Sequence, residues 1–377
     1  MAIVDLRRLG IRWQQLDFLL IGAGIVLTML GVVLITSATW RYFEPPSLLS
    51  NTWFMKQSAL ALVGLVALFG AAAVHPRVLR SLAYPIYGVA LASLVVVLFV
   101  GRGGAAYGAE RWVEVAGLPL QPAEPAKIGL IIALARVFAN NRPGPRLFLL
   151  SAGLVLLPAA LIYLQPSLGT SASLAAIWFG MLLLSGAPAR YVLGGLAAAV
   201  VAAPLVWFGM KDYMRERVLI FLDPRADALG QGYNILQAQI SVGSGGMWGK
   251  GLFEGTQTQL RYLRVSHSDF IFSVLGEELG FIGAMALFAL LILLLARTLR
   301  AYEVADDRFA SLVCAGVASM IAFQAVANLG ANIGLIPVTG VPLPFVSYGG
   351  SALVSQFVAL GLVQATLLRR RLYRFEI

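Results

Sequence analysis

Histidine and cysteine are nearly missing from this chain of 377 residues, which has only His75, His267 and a single cysteine, Cys314. One cysteine excludes an intrachain disulfide and a thiolate metal site, and two histidines exclude a multi-histidine metal cluster. Charge is also scarce. Asp, Glu, Lys and Arg make up 12% of the residues against 59% hydrophobic, with a mean hydropathy of +0.83, outside the range of water-soluble domains. A phosphate loop is missing too. In "VGSGGMWGKG" the position five before Gly249 is Ser244, and Gly251 follows Lys250, so the Gly-x4-Gly-Lys-Ser/Thr pattern fails.

What is present is apolar length. Crossing a hydrocarbon core of ~30 Å takes roughly 17 to 25 residues. Ten stretches qualify, centred in 18–37, 54–73, 84–100, 123–139, 147–164, 170–187, 190–209, 270–296, 309–331 and 349–368. The expected fold is an all-α polytopic membrane protein of about ten transmembrane helices, a single bundle over 1–377. The first stretch, "DFLLIGAGIVLTMLGVVLITSAT", exceeds the apolar core of a cleaved signal and reads as a retained helix.

Basic residues fix the expected orientation, because Lys and Arg near helix ends stay on the cytoplasmic side. With both termini cytoplasmic, the short outer loops hold only Arg41, Lys56, Arg102 and Arg111. The net charge of +10 then reflects topology and attraction to anionic membrane lipid, with no sign of nucleic-acid binding. One long outer loop, 211–268, separates the seventh and eighth spans. It opens with an expected interfacial helix, Met214, Val218, Phe221 and Leu222 standing opposite Lys211, Arg215 and Arg217. "DPRAD" reads as a turn, and a short helix over Tyr233 to Ser241 precedes the glycine-rich stretch.

Charges inside apolar spans are costly and mark bundle interiors and active sites. Asp269 stands at the mouth of the eighth span, and Glu277 and Glu278 lie about 12 Å deeper at a rise of 1.5 Å per residue. For Asp269 two roles coexist. With Ser266 and Ser268 it can accept from the free N–H groups of the helix start, and it can act as a general base in a polar cavity, where the helix dipole favours the ionised carboxylate. Glu277 and Glu278 sit about 100° apart and cannot share one partner, which favours structural service. Glu124 and Lys127, three apart in "LQPAEPAKIGL", share a helix face. They read equally as a self-neutralising pair or as cavity residues offering Lys127 to a phosphate. Trp112 beside Arg111 reads on its own as an interfacial aromatic. "NIGLIPVTGVPLPFVSYGGSALV" is uncharged and rich in Pro and Gly, as suits a re-entrant segment buried in protein.

Four blocks together resemble the shape, elongation, division and sporulation (SEDS) family, its elongation branch most closely: "ERWVEVAGLPLQPAEPAK", "QPSLGTS", the stretch from "GYNILQAQ" to "GEELG", and "IPVTGVPLPFVSYGGS". The resemblance implies a glycosyltransferase of the bacterial cytoplasmic membrane that polymerises lipid II, an undecaprenyl-pyrophosphate-linked disaccharide-pentapeptide, into glycan strands. It implies Asp269 as the base, with Arg111, Trp112, Glu124, Lys127, Arg217, Lys250, His267 and Ser347 as candidate substrate-binding residues. No metal ligand is assigned, no cofactor is required, and a divalent cation could share the pyrophosphate charge. Implied partners are a class B penicillin-binding protein and other membrane proteins of the elongation machinery. The chain departs from the family pattern at Leu263, Arg264 and Val265, where relatives read Leu-Pro-Glu, at Ser167 for Asp, and at Ala123 for Ser. More therefore rests on Asp269. Competing readings are a lipid II flippase, a division-branch polymerase and a scaffold for the penicillin-binding protein. A flippase would place its charges near mid-membrane, whereas here they gather on the outer side.

Overall fold

The computed structural model describes residues 15–42, 47–48, 50–101, 112–115, 118–165, 167–227, 230–263 and 265–369. The architecture is helical, and each of the ten apolar stretches falls in a helix. These are α1 (Phe18–Thr39), α2 (Thr52–Ala73), α3 (Pro76–Val100), α4 (Ala123–Asn140), α5 (Pro145–Leu164), α6 (Leu168–Leu184), α7 (Ala189–Gly209), α11 (Ile271–Val304), α12 (Arg308–Asn332) and α13 (Gly350–Leu367). Among the described residues, seven helices are long and apolar enough to span a membrane. Of the other three, α6 and α7 contribute shorter apolar stretches, and α4 carries Glu124, Lys127 and Arg136. The chain is a multi-pass membrane protein.

Local chemistry sets the helix starts. Asp17 accepts from the Leu20 N–H at the head of α1, and Asn51 accepts from the N–H groups of Trp53 and Phe54 at the head of α2. Asp307 does the same for Ala310 at α12. Asp17 also pairs with Arg297 at 2.6 Å and exchanges two hydrogen bonds with the Gln364 amide, tying together the ends of α1, α11 and α13. The most enclosed spans are α12 and α13, with α2 packed on α13, α6 and α11 on α12, and α3 on α4. Large apolar side chains such as Val66, Val89 and Phe99 stay 71–84% exposed, as suits a surface solvated by lipid rather than water.

Two details depart from the sequence reading. Val113–Val115 and Leu118–Leu120 form a small antiparallel hairpin, β1–β2, with Val113 opposite Leu120, just before α4. Second, the 211–268 segment holds the expected opening helix, α8 (Asp212–Leu222), and the expected turn, at Pro224–Asp227, but its next helix, α9 (Gln231–Ser244), is longer than the expected 233–241 and a further short helix, α10 (Thr256–Gln259), follows. Of the expected apolar face of α8, Met214 is buried, Val218 and Phe221 are half-buried and Leu222 is exposed, so only its end turns outward.

Candidate active site

The glycine-rich stretch lies against α11 rather than free of the bundle. At Gly280 the helix breaks, with φ 63° and ψ −160°, a conformation open to glycine alone at little cost. The groups freed there pair across to the preceding segment. Lys250 and Gly251 donate N–H to the carbonyls of Glu277 and Glu278, each at 3.0 Å. Phe281 and Ile282 donate to the carbonyls of Gly246 and Met247 at 2.9 and 3.2 Å. Backbone polar groups at membrane depth must be paired within the protein, and these four bonds do it. Contact is close enough that a Cβ on Gly280 would overlap the Gly249 nitrogen, and one on Gly249 would overlap the Glu278 carbonyl.

The two deep acids then part, as their angular separation requires. Glu277, fully buried, accepts from Lys250 Nζ, Thr256 Oγ1 and the Gln257 N–H on one oxygen, and from the Thr258 N–H and Oγ1 on the other. With five donors on its two oxygens, Glu277 anchors the glycine-rich segment to α11. Glu278 turns to α1, accepting from Ser37 Oγ at 2.5 Å. Ser37 in turn accepts from the Phe253 N–H and, at its carbonyl, from Gln259 Nε2.

Asp269 occupies the turn before α11, half-buried, with Phe270 as the N-cap. Ser268 Oγ reaches its Oδ1 at 3.5 Å. Part of the helix start is served from elsewhere, since Asn332 Oδ1 accepts from both the N–H and the hydroxyl of Ser273. The main chain leading to Asp269 is held at three consecutive carbonyls. His267 O accepts from the Tyr348 N–H at 2.9 Å, and Ser268 O accepts from Ser347 Oγ at 2.7 Å. Asp269 O accepts from Asn332 Nδ2 at 2.9 Å and Asn328 Nδ2 at 3.1 Å. Ser347, expected to meet substrate, thus uses its hydroxyl on Ser268 O and on the Leu343 N–H. Val265 and Phe345 nearby take positive φ, 55° and 64°, strain of a kind that tends to gather at functional sites.

The His267 ring lies tilted against Trp53, with centroids 4.3 Å apart, and edge-on to Tyr348. Burial pushes its pKa down to about 4, so the ring is neutral at pH 7. Glu124 and Lys127 form an ion pair at 2.8 Å, 3% and 1% exposed. The ammonium is spent on its neighbour rather than presented to open space, unlike the cavity-lining expectation. Lys250 likewise faces Glu277 at 2.8 Å rather than standing free for substrate. Gln121, just before α4, donates its N–H to Ser351 Oγ, which places the head of α4 beside the end of the 337–349 segment. Trp112 opens the hairpin at 37% exposure. Arg217 is half-buried on α8, which packs against α9. Arg111 and Arg264 lie outside the described residues. Among the described residues no group of three or more His, Cys, Asp or Glu is placed to hold a metal ion. The Asn328–Asn332 pair escaped the sequence reading, and its signal was a row of three amides one helical turn apart, Gln324, Asn328 and Asn332, in a mostly apolar span.

Fold and site define a multi-pass helical membrane protein in which the turn carrying Asp269 is held by α12 and by the Pro- and Gly-rich segment between α12 and α13. The chain belongs to the cell cycle protein family of FtsW, RodA and SpoVE, whose pattern matches residues 17–371. It is 40% identical over 315 residues to the peptidoglycan glycosyltransferase MrdB of Escherichia coli (strain K12), covering 82% of this chain and 84% of that one. It is 35% identical over 370 residues to a probable peptidoglycan glycosyltransferase FtsW of Trichlorobacter lovleyi, covering 96% and 95%. Among solved structures, a chain from work on structural coordination of polymerization and crosslinking by a peptidoglycan synthase complex matches with TM-score 0.80 and 35% identity over 94% of this chain and 98% of that one. The crystal structure of the Thermus thermophilus rod shape determining protein RodA matches with TM-score 0.70 and 32% identity over 96% and 99%.

Proposed function

We propose that this chain polymerises lipid II at the outer face of the bacterial cytoplasmic membrane, with Asp269 as general base. As a member of its family it is a peptidoglycan glycosyltransferase of the elongation type. The observation that carries the role of Asp269 is its setting: a half-buried carboxylate on a turn whose carbonyls are held by α12 and the 337–349 segment. Converting an α-linked pyrophosphate to a β-1,4 linkage is a single inversion. The acceptor hydroxyl gives its proton to the Asp269 carboxylate while its oxygen bonds to the donor's anomeric carbon. The bond from that carbon to the pyrophosphate oxygen breaks, and undecaprenyl pyrophosphate leaves with the electron pair. Orientation of the two sugars supplies much of the rate.

The leaving pyrophosphate needs a cation. Lys127 and Lys250 are each engaged by a carboxylate at 2.8 Å, so Arg111 and Arg217 are the side chains proposed to meet it. A divalent cation accompanying the pyrophosphate would come as part of the substrate. The similarity to the chain from a polymerization and crosslinking complex supports a class B penicillin-binding protein as partner. The deciding experiment gives the purified protein lipid II and follows glycan polymer and released undecaprenyl pyrophosphate. Asp269→Asn is expected to form neither while keeping the parent melting temperature and lipid II binding. Polymer formation by that variant would remove Asp269 from the chemistry.

A further inference from the structure

We infer that Asn332 is a positioning residue for Asp269, acting through the main chain at the mouth of α11. The inference rests on the reading of Asp269 as the base. Asn332 is fully buried near the end of α12, and a buried amide is costly unless its groups are satisfied. Here each atom has a partner. Nδ2 donates to Asp269 O at 2.9 Å and to Asn328 O at 2.9 Å, while Oδ1 accepts from Ser273 Oγ at 2.7 Å and from the Ser273 N–H at 3.2 Å. One side chain therefore grips the chain at Asp269 and again four residues on, fixing the peptide that carries the carboxylate against the first turn of α11. Asn328 adds a second donor to Asp269 O and a bond to Val341 O at 3.0 Å. That extends the grip to the 337–349 segment.

Were the amide only a helix cap, its loss would lower stability and leave turnover per folded molecule unchanged. Positioning predicts another pattern, because displacing a catalytic group by about 1 Å can cost a hundredfold in rate with binding little altered. Asn332→Asp keeps the size and the acceptor oxygen but turns the donor that holds Asp269 O into a second acceptor. In full-length protein with lipid II, the expected result is a fall in kcat of at least tenfold per folded molecule. KM should stay within threefold; the melting temperature should fall as well, since the new oxygen faces the carbonyls of Asp269 and Asn328, so the deciding quantity is turnover per folded molecule.

Asn328→Asp, tested in parallel, is expected to show the same split with a smaller fall, since Asn332 still holds the carbonyl. If Asn332→Asp does not fold, Asn328→Asp decides by the same criterion. Turnover within twofold of the parent in a folded variant overturns the inference, as does unfolding of both variants, which would assign the pair to stability alone. Asp269→Asn in the same assay separates the two readings. Activity in Asp269→Asn defeats the base assignment itself, whereas an inactive Asp269→Asn beside a fully active Asn332→Asp defeats only the positioning.

Discussion

Lys250 Nζ sits 2.8 Å from Glu277 Oε1, and the carboxylate is fully enclosed while the lysine side chain keeps 28% of its exposure. The pair joins the glycine-rich segment to α11 one turn above the Gly280 break. Glu277 keeps four further donors if the lysine is lost, but Lys250 has only Thr256 Oγ1 besides. The acid is therefore the anchor and the lysine its more replaceable partner.

Glu277→Ala should destabilise the protein by about 3–5 kcal/mol, the cost of leaving buried donors without their acceptor. Lys250→Met should cost less, about 1–2 kcal/mol, because its partner remains hydrogen-bonded and its own end is part-exposed. Thermal unfolding in detergent ranks the two, and an equal or reversed ranking refutes the anchor assignment.

Gly280→Ala puts a side chain where the backbone has φ 63° and the Gly249 nitrogen is in contact. The expected cost is about 2 kcal/mol or more, combining strain with the lost approach of the two segments. Proteolysis near residues 246–251 should accelerate with it. A variant as stable as the parent would mean that α11 runs through position 280 unbroken.

The Glu124–Lys127 pair separates its two readings in a double-mutant cycle. Lys127→Met alone leaves a buried carboxylate unpaired, and stability should fall by about 3–5 kcal/mol. Adding Glu124→Gln should restore most of it. If the pair is structural, the double variant polymerises within a few-fold of the parent, whereas a hundredfold loss of kcat/KM in that stable variant would place Lys127 on the substrate.

His267 gives a pH signature. Its folded pKa, about 4, lies below the unfolded value of 6.5 because burial disfavours the charged ring. Between those values the unfolded chain binds the extra proton, so stability is intact above pH 6.5 and falls as pH drops toward 4, by at most about 3 kcal/mol. His267→Phe should flatten that slope between pH 7.5 and 5. An unchanged slope in melting temperature would show that the ring titrates normally.

Apolar length made the ten helices legible, because a span long enough to cross lipid leaves few alternatives. The candidate site was legible in pieces. Asp269 stood out as a charge at a helix mouth, and the separate partners of Glu277 and Glu278 followed from the angle between neighbours. Hidden from the sequence were the partners, since a side chain's engagement depends on contacts distant along the chain. Lys250 looked available until Glu277 was seen to hold it, and Ser347 until its hydroxyl was seen to bridge Ser268 and Leu343. The break at Gly280 was missed because a single glycine in an apolar run does not by itself interrupt a helical pattern.

That break bears on how the molecule is made. Residues 246–251, which complete the hydrogen bonding of α11 at Gly280, come before α11 in the chain and leave the ribosome first. The segment can thus be waiting when the outer half of α11 reaches the bilayer, so that its bare peptide groups need never face hydrocarbon. Moving the strap downstream of α11 by circular permutation would reverse that schedule, and a defect in insertion rather than in the finished fold is the expected cost.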